Sequence, residues 1–174
     1  MFSIRKAELK DCRSLSTFAK EAFVEAHQGQ PMIKDEDMHS YTKECLNEKK
    51  IAEEQLDPKS IFFLAIKGAT IVGYAKINLK RSEECVVATN PTELQRIYVG
   101  SECKGMGIGK LLLTHCIDVA IKNNSDVIWL GVWDYNLYAQ EFYKRNGFSC
   151  VGSQCFVFGS YLSRDFVYQK TLLK

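Results

Sequence analysis

The stretch PTELQRIYVGSECKGMGIGKLLLTHCIDVAIKNNSDVIWLGVW, residues 91–133, decides the fold. Residues 93–99 read as a strand. Three alternating glycines follow, at Gly105, Gly107 and Gly109. Leu112, Leu113, Cys116, Ile117 and Ala120 then recur at the spacing of one helix face, and Asn123-Asn124 closes that helix. Val127 to Trp133 is a nearly continuous apolar run of strand length, as expected for a strand buried on both faces. A strand, a crossover helix and a second strand predict that 93–99 and 127–133 are parallel neighbours.

The joint between the first strand and the helix carries the chemistry. Glycines let the backbone come close to a ligand and take positive φ. A helix start beyond them offers unpaired N–H groups and a partial positive charge, which together suit a pyrophosphate. The P-loop pattern fails here because Lys110 is followed by Leu111. The dinucleotide pattern needs glycine at position 110, which is Lys. It keeps in its favour only Asp134, placed like a ribose-binding acid at the end of the next strand.

Outward from this block, residues 2–5 read as a short strand. Asp11 is placed as the cap of a first helix whose apolar side is Leu15, Phe18, Ala19, Ala22 and Phe23. Gly29-Gln30-Pro31 ends that helix, and a more polar second helix is expected over 35–54. The runs 61–66 and 71–79 flank Lys67-Gly68-Ala69-Thr70 and read as a hairpin. Residues 80–92 read as a loop. A helix is expected over 136–146, stopped by Gly147, and two last strands near 148–158 and 166–172.

One domain over residues 1–174 is the expectation for this length. Hydrophobic residues make up 46% and charged residues 25%, a globular balance with no run long enough to span a bilayer. The first eleven residues are charged and lack the apolar stretch of a signal peptide, so a cytoplasmic protein is expected. Twenty-three basic against 21 acidic residues give no nucleic-acid signature. The acids of residues 34–59 are interleaved with lysines and read as a solvated face. Seven scattered cysteines and three histidines match neither a disulfide framework nor a metal motif, so no metal is expected.

The motifs resemble the GNAT superfamily of N-acetyltransferases, in that family's order from residue 4 to about 148. Ile4-Arg5-x-Ala7 with Asp11 resembles its opening, and Glu93 to Val99 its central strand. Lys104 to Gly109 resembles its phosphate loop, Gln/Arg-x-x-Gly-x-Gly/Ala. Asn136-x-x-Ala139-x-x-Phe142-Tyr143-x-x-x-Gly147-Phe148 resembles its second signature. Within it, IWLGVW and FYKRNGF resemble the PaiA-type subgroup, linked to polyamine acetylation. Lys104 departs from the usual Gln or Arg, and Gly105 and Met106 stand where a basic residue is frequent. Lysine still binds phosphate as a point charge.

The resemblance implies an α/β fold: a mixed, mostly antiparallel sheet of about seven strands, a central parallel pair, and helices on both faces. It implies acetyl-CoA as co-substrate, with direct attack by the amine in a ternary complex. The cofactor would lie on Ile97, Tyr98 and Val99 and on Lys104, Gly105, Met106, Gly107, Ile108, Gly109 and Lys110, with Asn136 and Tyr143 beside it. A main-chain N–H of the first strand would polarise the thioester oxygen. Tyr143 would give a proton to the departing sulfur, and Glu93 would take one from the amine.

Trp129 and Trp133 share one strand face and pack in the core. Trp133, with Asp134 and Tyr135 beyond it, is placed to wall the acceptor pocket. The acceptor is expected to be a small primary amine, a polyamine first. No nucleic-acid or membrane partner is expected, and a homodimer is compatible with the sequence. Acetylation of a protein N-terminus or lysine, or binding of acyl-CoA without turnover, are the competing readings.

Overall fold

The computed structural model describes residues 2–172. Seven strands form one sheet in the order β1-β2-β3-β4-β5-β7-β6. They are β1 (Phe2–Lys6), β2 (Ser60–Lys67), β3 (Thr70–Leu79), β4 (Pro91–Val99), β5 (Val127–Trp133), β6 (Ser149–Phe158) and β7 (Tyr161–Thr171). Only β4 and β5 run parallel. Helices α1 (Cys12–His27), α2 (Asp35–Cys45) and α3 (Glu48–Leu56) cover one face, and α4 (Ile108–Lys122) and α5 (Leu137–Arg145) the other. This is the GNAT fold.

Each face has its own core. Ala75, Ile77, Leu94 and Ile128 pack with Leu112, Leu113 and Tyr143 under α4 and α5. Phe62, Leu64 and Tyr74 pack with Leu15, Ala19, Phe23 and Ile51 under α1 to α3. A third, smaller cluster holds Trp129 with Val86 and Val167 beneath the loop before β4.

Three boundaries and one cap differ from the sequence reading. The helix expected over 35–54 is two. Leu46 is drawn into the core, and its carbonyl accepts the Ser16 hydroxyl at 2.7 Å. Asn47 then closes α2, donating to the carbonyls of Lys43 and Glu44, and opens α3, accepting the Lys50 N–H at 2.8 Å. β4 begins at Pro91, inside the expected loop. β7 begins at Tyr161, five residues early, because Asp37 on distant α2 holds the Ser160 N–H and hydroxyl, both at 2.8 Å. Asp11 precedes α1 but makes no side-chain cap; its carboxylate instead takes Arg5 and the Glu8 N–H.

The parallel pair is fastened only at its start. Pro91, Thr92 and Glu93 register with Val127, Ile128 and Trp129, and there the pairing stops. That end is clamped by a Thr92–Ser125 hydroxyl pair at 2.6 Å and by the Asp126 carboxylate, which accepts the N–H groups of Thr89 and Asn90. Beyond it, Lys76 pairs with Arg96 but Ile77 with Leu94, so Gln95 is an extra residue, a β-bulge in β4. The bulge turns Arg96 and Tyr98 onto the face that Glu93 occupies. β4 stays with β3, β5 stays with β7 as far as Trp133, and a gap opens between them.

Candidate active site

The gap forms a cleft of about 270 Å³ on the α1–α3 face. Its walls bring together Glu93, Arg96, Ile97 and Tyr98 from β4, Gly131 and Trp133 from β5, Asn136 and Tyr143 from the α5 region, and Asp165 from β7. Phe23, His27, Tyr41 and Phe158 add an aromatic rim. Of the residues expected around the acceptor, Trp133 lines the cleft. Asp134 and Tyr135 do not; Tyr135 is exposed and packs on Trp133.

Three cross-strand pairs floor the β3–β4 side: Asn78 with Glu93, Lys76 with Arg96, and Tyr74 with Tyr98. Asn78 Nδ2 donates to Glu93 Oε2 at 2.7 Å, which fixes the carboxylate and leaves its other oxygen free. Arg96, its side chain 9% exposed, makes a two-pronged contact with Glu54 of α3, at 2.8 and 3.2 Å. Lys76 reaches the same carboxylate at 3.0 Å. Burial, helped by Arg96, pulls Lys76 below its ordinary value. Burial pushes the Tyr143 phenol above its usual range, so it keeps its proton at neutral pH. Burial lowers His27, which is therefore neutral near pH 7.

The glycine loop is built for backbone contact. Gly105 and Gly107 have φ of 79° and 80°, and added Cβ atoms would meet open space, so glycine is needed there for the conformation alone. Gly107 is the residue before α4. Among the described residues, the N–H groups of Gly105, Gly107, Ile108, Gly109 and Lys110 have no backbone acceptor. The Met106 N–H turns back to Cys103 O at 3.4 Å, and the Ile108 side chain is buried in the core, so Ile108 offers only its amide. The Lys104 side chain is exposed, and its N–H bonds to Ser101 O.

Beside this loop lies a second cavity of about 550 Å³ between α4 and α5, lined by Lys110, Leu137, Tyr138, Glu141, Phe142, Arg145 and Asn146. Lys110 and Arg145 place two cations, and Tyr138 and Phe142 two aromatic rings, beside the free N–H groups of the loop. Sequence reading missed Tyr138 and Arg145, although both stand inside the Asn136–Phe148 signature. Asn136 caps α5, accepting the Ala139 N–H at 3.1 Å, and also borders the cleft.

Residues 20–148 match the Acetyltransferase (GNAT) family. The chain belongs to that family. It is an acetyl-CoA-dependent N-acetyltransferase. The GNAT chain is 30% identical over 138 residues to an uncharacterized N-acetyltransferase in the pepI 3′ region of Lactobacillus delbrueckii subsp. lactis, covering 79% of this chain and 80% of that one. It is 28% identical over 143 residues to an uncharacterized N-acetyltransferase of Mycobacterium bovis, covering 82% and 87%. Its fold is that of the PaiA N-acetyltransferase of Thermoplasma acidophilum, solved in complex with coenzyme A, with a TM-score of 0.79, 23% identity and 99% of each chain covered. No helix among its described residues is long and apolar enough to cross a membrane.

Proposed function

We propose that this GNAT enzyme, acting as one domain, acetylates the primary amine of a small cationic acceptor, with a polyamine as the first candidate. The observation that carries the reading is Glu93. Its carboxylate is held by Asn78, has no ion-pair partner among the described residues, and lines the same cleft as Tyr143. Acetyl-CoA supplies a thioester whose carbonyl carbon accepts the amine. The free N–H groups of the glycine loop would hold its pyrophosphate, with Lys110 and Arg145 toward the adenosine end. The edge of β4 facing β5, beyond Glu93, lacks a strand partner. Its N–H groups over Ile97 to Val99 are the donors for the thioester oxygen. Glu93 takes the proton of the ammonium, directly or through one water, and Tyr143 returns a proton to the leaving sulfur.

Four acids of α2 and α3 do not serve this reading, because they are engaged elsewhere. Asp37 holds Ser160, Glu54 holds Lys76 and Arg96, and Glu48 and Glu53 face Arg13 and Lys49. The cation preference rests on the cleft instead, where carboxylates stand against aromatic faces. Seven free thiols fit a reducing, cytoplasmic setting. The test is a thiol-release assay with spermidine, a neutral-tailed alkylamine and short peptides, at low and high salt. We expect the highest kcat/KM for spermidine, with its advantage shrinking as salt rises. Equal values for the two amines, or a preference for peptides, would reject the polyamine and leave the acetyltransferase.

A further inference from the structure

Gly131 interrupts the apolar run of β5, and its conformation does not explain it. It lies in mid-strand with no positive φ. A glycine there weakens the strand. Its reason is room. A Cβ at 131 would stand 2.6 Å from Gln154 Nε2 and 3.3 Å from Asp165 Oδ2. The missing side chain lets Asp165 lean from β7 across β5 into the cleft.

The Asp165 carboxylate is half-buried and unmatched. Oδ1 accepts the Ser163 hydroxyl at 2.9 Å, and Oδ2 has no hydrogen-bond partner among the described residues. The adjacent Arg164 points elsewhere, with its guanidinium 5.1 Å from the Phe166 ring. Arg96, the other charged wall of the cleft, is committed to Glu54, and His27 is neutral. Among the described residues no cation forms an ion pair with Asp165, while Trp133, Phe158 and Tyr161 line the same space. Glu93 registers with Trp129, two residues from Gly131 along β5, or about 7 Å at the strand rise. Glu93 of β4 and Asp165 of β7 thus border one cleft from its two sides.

We infer that Asp165 seats a second ammonium of the acceptor, while Glu93 receives the reacting amine. This rests on the cationic-acceptor reading above and makes Asp165 a specificity residue. The experiment compares 1,4-diaminobutane with 1-aminobutane as acceptors for the parent, Asp165→Asn and Gly131→Ala. We expect the parent to favour the diamine. In Asp165→Asn the diamine-to-monoamine ratio of kcat/KM should fall about tenfold or more, the size of a lost charged hydrogen bond. The loss should lie in KM rather than kcat, and calorimetry with coenzyme A present should show the same loss in diamine Kd. Gly131→Ala should lower the ratio by crowding Gln154 and Asp165, and it carries the test should Asp165→Asn not bind coenzyme A. A folded Asp165→Asn that keeps the ratio, or that loses kcat equally for both amines, would overturn the assignment. No preference in the parent would overturn the cationic-acceptor reading itself, and this inference with it.

Discussion

Tyr143 is 6% exposed and lies against Phe142 and Phe148, so its ring has the contacts of a core residue while its edge borders the cleft. In the proposed reaction the phenol's proton matters only as the sulfur departs. Tyr143→Phe should therefore lower kcat by ~10²-fold or more while leaving coenzyme A affinity nearly unchanged. Steady-state kinetics beside calorimetry would check this, and an unchanged kcat would reduce the residue to packing. A second residue-scale effect is electrostatic. Arg5 and the Glu8 N–H bring the Asp11 carboxyl from its ordinary 3.8 to about 2, the Arg5 hydrogen bond acting first. A depressed carboxyl contributes its stability above pH 4, and that contribution is lost as pH falls toward 2. Asp11→Asn should thus melt below the parent at pH 7, and the two should converge between pH 4 and pH 2. Melting temperatures that stay equally separated over that range would refute the linkage. Arg5 and Asp11 were legible as the opening of the motif, but the capping role read from Asp11's position was not the one its side chain takes.

At the scale of elements, the long-range contacts are the informative ones. Glu54 of α3 sits between Lys76 of β3 and Arg96 of β4, all three largely buried. One carboxylate thereby pins a helix to the bulged stretch that opens the cleft. Removing it would leave two buried cations facing each other. Glu54→Gln should cost ~3–5 kcal/mol, whereas Lys76→Met should cost far less, because it removes a charge that must be buried. Urea denaturation of both variants measures the difference, and equal losses would argue against the cluster as described. In the sequence Glu54 read as one acid of a solvated face, because the two cations that bury it come from separate strands, β3 and β4. The division of α2 from α3 at Leu46-Asn47 was missed for a related reason. Its cause is Leu46 being drawn into the core and bonded by Ser16 on another helix.

For the whole molecule, the parallel pair is held at one end and open at the other, and a ligand in the gap touches both halves of the sheet. Coenzyme A at 100 times its Kd should stabilise the fold by ~2.7 kcal/mol. For a chain of this size each kcal/mol raises Tm by ~2–4 °C. Gly107→Val should lose that shift, since valine at φ near 80° is strained and its side chain would occupy the phosphate approach. Thermal melts with and without coenzyme A check it; an undiminished shift in the variant would remove the loop from the binding site. The sequence by itself determined the order of the strands, the parallel crossover around residues 93–133, the glycine loop and the family. All of these are written in local periodicity and in motifs with fixed spacing. Only the tertiary structure decided that the pairing of β4 and β5 ends at Glu93, that Gln95 bulges, that Asn78 holds Glu93, and that Gly131 makes room for Asp165. Each of these depends on residues brought together from separate strands and helices, and the contact energies that select them have no expression along the chain.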